Sequence, residues 1–358
     1  MIKARKIEKI KQSLSVLWRV MLGGALLIGY ASWSATPLQA QQHLKVESYP
    51  SWAGPVIWTA EDLEYARQQI LAGVNRSEAF DSYITNTHSY IMINRPEVPA
   101  GESPLAESHA GVTDVYFIVG GEGELLVGGE MQNVRESRPG ELLGTMTTGR
   151  RIPVKKGSIV NIPPETTHAA VPGPGGLQYV LQKINIGMYP WSLIAGTPQS
   201  HSMIQASPDW IETVAYTTDD IESMRQQIMG GANRMEVFDE FVTPTHSYIM
   251  LHRGPTPAGQ PLRFEVHEGV TDVYYIAGGS GTVVIDGVLE VEESLSLGPG
   301  EVRGTMTGGR QIPLTKGSIL NIPPGTSHGT IAGPEGMTYI LQKINVGMYP
   351  WSLINGTP

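Results

Sequence analysis

The chain contains one long unit written twice. Trp58 to Ile93 returns 158 residues later as Tyr216 to Leu251, and 30 of 57 positions are identical between 58–114 and 216–272. Further on the offset becomes 160, because the loop around Asn133–Pro139 is two residues shorter than its counterpart. Both units close on Leu-Gln-Lys-Ile-Asn, one variable residue and Gly-Met-Tyr-Pro-Trp-Ser-Leu-Ile, ending at Pro198 and Pro358. Two long copies predict a duplicated domain, whereas a solenoid stacks shorter and more numerous units. The domains are expected at 43–198 and 208–358, joined by a polar, proline-containing stretch.

Within each unit the hydrophobic period changes once. From Ala60 to Ala72 the apolar stripe Leu63, Ala66, Ile70 and Leu71, with Thr59 able to cap it and Gly73 to end it, predicts a helix. The second copy keeps the stripe as Ile221, Met224, Ile228 and Met229. Short β-type runs follow, among them Asp114–Val119, Ser158–Ile162 and Gln178–Ile186. With 42 Gly and 26 Pro marking tight turns between them, they predict an all-β dominated fold, a sandwich or barrel per repeat, each with an N-terminal helix.

The first 40 residues read as a targeting segment. Six basic residues lie before position 20, an apolar run follows from Val20 to Ala31, and Leu38-Gln39-Ala40 precedes a polar start. A secretory signal cleaved after Ala40 has this form; a run stretched from Val16 to Ala35 would instead anchor the chain in a membrane. The expectation is an exported protein, periplasmic or secreted, with no stable membrane association after cleavage. Of 25 basic and 34 acidic residues, removing those 40 positions (six basic, one acidic) leaves 19 and 33, a net −14. No basic run remains to hold a phosphate backbone, so nucleic acid is excluded as a partner. The absence of Cys excludes a disulfide scaffold, a thiolate metal site and a Cys nucleophile.

Chemistry is concentrated where strands begin and end. Glu107 and His109 are two residues apart, so on a strand they share a face; Asp114 follows a short turn later and His168 lies some 50 residues on. The second copy answers with Glu265, His267, Asp272 and His328. Around the pair, Leu105/Arg263, Ala106/Phe264 and Ser108/Val266 differ between copies, while the Glu and the His do not. Two imidazoles with one or two carboxylates suit Fe(II) and neighbours such as Mn(II).

These residues carry a resemblance to the cupin superfamily, in its two-barrel bicupin form. Its first motif places His-x-His, then Glu and a glycine-rich hairpin; its second is Gly-x5-Pro-x-Gly-x2-His. Here His109 stands at the second His, Asp114 at the Glu, and Gly157, Pro163 and His168 match the second motif, as do Gly317, Pro323, Gly325 and His328. The first His of the pair is Glu107 or Glu265, and Glu165 replaces the second-motif Gly in copy one. The resemblance implies two double-stranded β-helix (jelly-roll) barrels, each with one divalent ion in its mouth. Fe(II) or Mn(II) is favoured, with Zn or Ni as alternatives. His109, Asp114, His168, His267, Asp272 and His328 would be the ligands. Glu107 and Glu265 would be fourth ligands or catalytic bases.

Further candidates line up with a substrate role. Arg150 and Arg310 can hold an anionic group with two parallel hydrogen bonds, or are plain hairpin residues. Tyr116 and Tyr274 share a face with the Asp ligands and line the cavity or fill the core. His88 and His246 face either a pocket or a structural partner; alternation does not decide, because apolar residues stand on both faces. Asn161 and Asn321 precede an Ile-Pro-Pro turn and read as turn stabilisers. The function expected is a metal-dependent enzyme acting on a small oxygenated or carboxylated molecule, dioxygenase-like or a lyase or isomerase by metal-assisted proton abstraction. A non-catalytic binding or storage-like bicupin is the alternative. Association into a homo-oligomer is left open, and the two barrels are expected to meet through Met188–Leu193 and Met348–Leu353.

Overall fold

Residues 54–185 and 212–345 are described by a computed structural model, apart from 81–82, 85–86, 139, 239–240, 243–245, 268–269 and 293–300. The targeting segment, the junction near 198–208 and the two Met-Tyr-Pro-Trp-Ser-Leu segments lie outside the described residues. Among those described, no helix is long and apolar enough to cross a membrane.

The first repeat runs β1 (Val56–Trp58), α1 (Ala60–Leu71), α2 (Arg76–Ala79), β2 (Tyr83–Ile84), β3 (His88–Arg95), β4 (Leu105–His109), β5 (Val112–Val127), β6 (Gln132–Arg138), β7 (Glu141–Thr145), β8 (Arg150–Lys155), β9 (Ile159–Ile162) and β10 (His168–Asn185). The second repeats the order: β11 (Val214–Tyr216), α3 (Thr218–Met229), α4 (Arg234–Val237), β12 (Phe241–Val242), β13 (His246–Arg253), β14 (Phe264–His267), β15 (Val270–Ile285), β16 (Val288–Val291), β17 (Glu301–Thr307), β18 (Arg310–Thr315), β19 (Ile319–Ile322) and β20 (His328–Asn345). Helix α1 begins where the sequence places it: Thr59 accepts from the Asp62 amide and Asp62 accepts from the Thr59 amide, a complete capping box.

Each repeat curls nine strands into an antiparallel sheet built on two long, bent strands, and one strand of the other repeat makes the tenth. In the first, β5 pairs with β9 over its first half and with β8 over its second, while β10 runs beside it and also meets β3 and β4. The bend falls at Gly120-Gly121. Gly121 has φ +73°, and a Cβ there would stand 2.1 Å from the Gly176 carbonyl oxygen, so the closest passage of the two strands requires glycine. Alternation then sorts β5: Tyr116, Ile118 and Leu125 fill the barrel interior, while Val115, Phe117 and Val119 face outward.

That outward face is not solvated. It packs against the same face of the other barrel, in one core that holds Trp58, Phe80, Tyr90, Phe117, Tyr216, Phe238, Tyr248 and Tyr275. The strands themselves cross over. β1 of the first repeat pairs with β19 of the second (Trp58 opposite Ile319), and β11 of the second pairs with β9 of the first (Tyr216 opposite Ile159). Each repeat thus closes an edge of the other's sheet, which leaves that edge unavailable to foreign strands.

A buried polar chain runs through this shared core. Asn321 Oδ1 accepts from the Tyr90 hydroxyl at 3.0 Å and lies 2.7 Å from His88 Nε2; Asn161 Oδ1 does the same for Tyr248 (2.8 Å) and His246 (3.0 Å). Gln182 and Gln342 donate to each other's carbonyl oxygens (2.9 and 3.0 Å) and each to one of these tyrosines (2.7 Å). Asn161 and Asn321 are therefore cross-barrel acceptors rather than simple turn residues.

His88 and His246 are fully buried, and burial pulls them down to about 4 and about 3. Their unfolded counterparts take up protons near 6.5. Between pH 6.5 and about 4 the unfolded chain therefore binds protons that the folded one refuses, and stability falls as pH falls. The melting temperature should drop across this window, and a His88→Gln/His246→Gln variant should show a flatter profile than the parent.

Candidate metal centres

Glu107 and His109 sit on β4, Asp114 near the start of β5 and His168 at the start of β10. The register brings them together, with His168 directly opposite Glu107. One ligand atom from each of the four lies within 4.8 Å of all the others, and Glu265, His267, Asp272 and His328 repeat the arrangement. In the first barrel His109 Nε2 is 3.2 Å and His168 Nε2 3.4 Å from Asp114 Oδ2, with Glu107 at 3.5 and 3.6 Å from the two imidazoles. In the second, Asp272 Oδ2 is 3.2 Å from His267 Nε2 and 3.4 Å from His328 Nε2.

These groups fit a divalent cation on their own chemistry. His168 Nδ1 lies 2.8 Å from the Thr166 carbonyl oxygen and His328 Nδ1 lies 2.9 Å from that of Thr326. A ring that donates from Nδ1 to a carbonyl turns the Nε2 lone pair into the cluster, as metal-bound imidazoles do. The Nε2 atoms of His168 and His328 and Oδ2 of Asp272 are buried without a hydrogen bond among the described residues. Convergent, buried and unsatisfied acceptors are costly unless a cation completes them.

Without that cation, protons take its place. Burial alone would lower His168, but Asp114 and Glu107 beside it push it up to about 9. His109 is also raised: burial and Lys183 oppose the shift, and Asp114 and Glu107 overcome them. Burial would raise Asp114 and Glu107, yet Lys183 and the two histidines hold both carboxyls below the usual range.

Lys183 and Lys343 were not singled out by the sequence reading. Lys183 Nζ donates to Asp114 Oδ1 (2.9 Å) and Oδ2 (3.0 Å) and lies 2.9 Å from His109 Nε2. Lys343 donates to Asp272 Oδ1 at 3.0 Å and lies 3.2 Å from His267 Nε2. Lys343 thus occupies Oδ1 of Asp272 and leaves Oδ2 facing the histidines, whereas Lys183 bridges both oxygens of Asp114. The one signal in the sequence was the identical Leu-Gln-Lys-Ile-Asn of both copies, where a lysine in a strand reads as surface.

The remaining candidates separate. Tyr116 and Tyr274 are buried inside the barrels, edge-on to His168 (6.1 Å) and His328 (6.3 Å), beneath the clusters. Their outer neighbours are Tyr179 and Tyr339, whose hydroxyls accept from Arg95 Nε (3.3 Å) and Arg253 Nε (2.8 Å). His88 and His246 face the opposite barrel, away from the cluster. Arg150 and Arg310 are exposed on the outer strands β8 and β18: Arg150 donates to the Thr213 carbonyl and Arg310 lies 3.6 Å from Asp286. Neither shares an ion pair or hydrogen bond with the cluster residues. Besides Lys183 and Lys343, the basic residues on inward-turned strand faces include Arg95 and Arg253, beside Tyr179 and Tyr339.

The two centres differ in their glutamate. Opposite Glu107 stands Leu143; opposite Glu265 stands Arg303, whose Nη2 is 3.1 Å from Glu265 and 2.8 Å from Glu301. Glu265 is correspondingly farther from its histidines, at 3.9 and 3.8 Å. Arg303→Leu, which copies the first barrel, should free Glu265 and tighten metal binding at the second centre by about fivefold or more, the scale of a charge-assisted hydrogen bond. Metal titration of the variant beside the parent measures it.

No protein-family model matches the chain, and no curated protein matches its sequence. Solved structures do. A point mutant of salicylate 1,2-dioxygenase from Pseudoaminobacter salicylatoxidans superposes with a TM-score of 0.50 at 14% identity, over 99% of this chain and 96% of that one. The protein YlbA from E. coli matches with a TM-score of 0.36 at 12% identity (74% and 79% covered), and procruciferin, an 11S globulin from Brassica napus, with 0.34 at 11% (73% and 78%). The chain has the bicupin fold, two cupin barrels in tandem.

Proposed function

We propose that the chain is a metal-dependent bicupin enzyme, with one divalent ion per barrel, acting on a small oxygenated or carboxylated molecule in a dioxygenase-like reaction. The observation that carries this reading is the pair of four-residue clusters, each with two imidazoles and two carboxylates converging inside a barrel. His109, Asp114 and His168 would hold one ion, and His267, Asp272 and His328 the other. A divalent ion there supplies Lewis acidity and, as Fe(II) or Mn(II), access to oxygen chemistry. The chain's own part is to fix the imidazoles through Thr166 and Thr326, to aim the aspartates through Lys183 and Lys343, and to enclose the site with buried tyrosines.

The differing glutamates favour a second reading for the second barrel. Held by Arg303, Glu265 is not drawn to the cluster as Glu107 is. It is then placed to act as a base on a bound substrate, as in a lyase or isomerase. The basic-then-apolar order of the first 40 residues supports export for either activity. Oxygen consumption by the iron- or manganese-loaded protein, screened over small carboxylic acids, tests the first reading; substrate-dependent turnover without oxygen uptake, lost in Glu265→Gln with metal retained, would replace it with the second. No turnover with either, in metal-loaded protein, would leave a binding protein.

A further inference from the structure

The second barrel carries a cavity of about 660 Å³ that includes none of the four cluster residues. Arg253, Thr256, Gln260, Arg263 and Thr330 are among its lining. It is continuous in strand geometry with the centre below it. Thr330 is two residues beyond His328 on β20 and so shares its face, and Arg263 immediately precedes β14, two residues from Glu265. Arg253 ends β13 on the face of Ile249 and Leu251, which pack into the barrel interior. The wall is tied down: the Thr256 amide donates to the Ala332 carbonyl (3.3 Å) and the Ala332 amide to Thr256 Oγ1 (3.0 Å).

No carboxylate pairs directly with the charges in this cavity. Arg253 spends Nε on the Tyr339 hydroxyl, which fixes the guanidinium and leaves its Nη edge available. Among the described residues neither Arg253 nor Arg263 has a carboxylate within ion-pair distance, and the nearest acid on this face, Glu265, is held by Arg303. The first barrel lacks the arrangement. Arg95 matches Arg253, but Leu105 stands for Arg263 and Glu102 for Gln260, so one positive charge is missing and one negative is added.

We propose that this cavity binds the carboxylate of a small organic acid, between the Nη edge of Arg253 and the guanidinium of Arg263, with the rest of the molecule directed towards the Glu265–His267–Asp272–His328 centre. Two parallel N–H groups on a planar edge match the two oxygens of a carboxylate. The second barrel is accordingly the one that selects substrate. This deepens the proposed function and rests on it only for the role of the centre; anion binding itself does not require the metal.

Calorimetric titration of the protein with benzoate, benzamide and inorganic phosphate tests it, on both chelator-stripped and metal-loaded samples. Benzoate should bind at one site at least tenfold more tightly than benzamide or phosphate. Arg263→Gln and Arg253→Gln should each weaken benzoate at least fivefold, and Arg151→Gln, exposed on the first barrel, should not. Arg263 makes no hydrogen bond that the fold depends on, so its variant keeps the test valid if Arg253→Gln misfolds. Benzoate no tighter than benzamide, phosphate as tight as benzoate, or an Arg263→Gln variant equal to the parent would each overturn the proposal. Discrimination in a protein that takes up no metal would uphold the anion site while the metal reading falls; retained metal without discrimination would do the reverse.

Discussion

Trp58→Ala is expected to lower the unfolding free energy by about 3–5 kcal/mol, the cost of emptying a large aromatic site in a packed core. Trp58 is 7% exposed, stacks on Phe80 at 5.1 Å and leans on Tyr90 at 5.1 Å. It also stands in the three-residue strand that closes the other repeat's sheet at Ile319. The substitution therefore loosens both barrels at once, and so should Tyr216→Ala, whose ring stacks on Phe238 at 4.8 Å. Because one core spans both repeats, the protein should melt in a single transition, with calorimetric and van't Hoff enthalpies equal. Two resolved transitions, or a loss below about 1 kcal/mol for Trp58→Ala against the handful expected, would mean that the barrels stand alone.

Metal affinity should fall steeply with acidity, and from a higher pH than free histidine implies. In the metal-free first barrel His168 keeps its proton up to about 9, because Asp114 and Glu107 stabilise it there. A cation must displace that proton, so below about 9 each pH unit costs about tenfold in apparent affinity, roughly a thousandfold by pH 6. His109, also raised, adds to the slope. The same shift acts oppositely on the metal-free fold. A histidine raised from 6.5 to about 9 contributes stability that is complete below 6.5 and lost as pH rises through about 9. From pH 6.5 to 9 the stripped protein should lose stability while the loaded protein gains affinity. Metal titrations at several pH values, with melting curves of the stripped protein, read both signs; a flat affinity profile would remove His168 from the ligand set.

Much of the architecture was legible because the chain states it twice. The repeat pointed to the two sheets of matching strand order, and Gly- and Pro-bounded alternation to their strands. Glu107 and His109 stand out because their neighbours change between copies while they do not; Asp114 and His168 join them through their spacing and the cupin resemblance. The interface was not legible, for two physical reasons. β1 and β11 are three residues long, too short for periodicity to mark, and their partners lie some 260 and 50 residues away. Both faces of β3 are buried, Ile91 and Ile93 inside the barrel and Tyr90 and Met92 against the other barrel, so alternation left the direction of His88 open. The expected contacts at Met188–Leu193 and Met348–Leu353 lie outside the described residues, whereas the observed contact is the strand exchange and its aromatic core. Lys183 and Arg253 escaped notice because a strand lysine or arginine reads as solvated unless the barrel around it is known. Arg150 and Arg310 drew attention for the converse reason: they sit in repeated hairpin sequence, and the fold turns them outward.

The central claim is that the two Glu–His–Asp–His clusters hold metal. The most direct test is the metal content of protein purified without chelators, by elemental mass spectrometry, beside His168→Ala, His328→Ala and the double variant. The account predicts up to two equivalents in the parent, about one fewer in each single variant and close to none in the double. Metal absent from the parent even after reconstitution, or unchanged in the double variant, would contradict it.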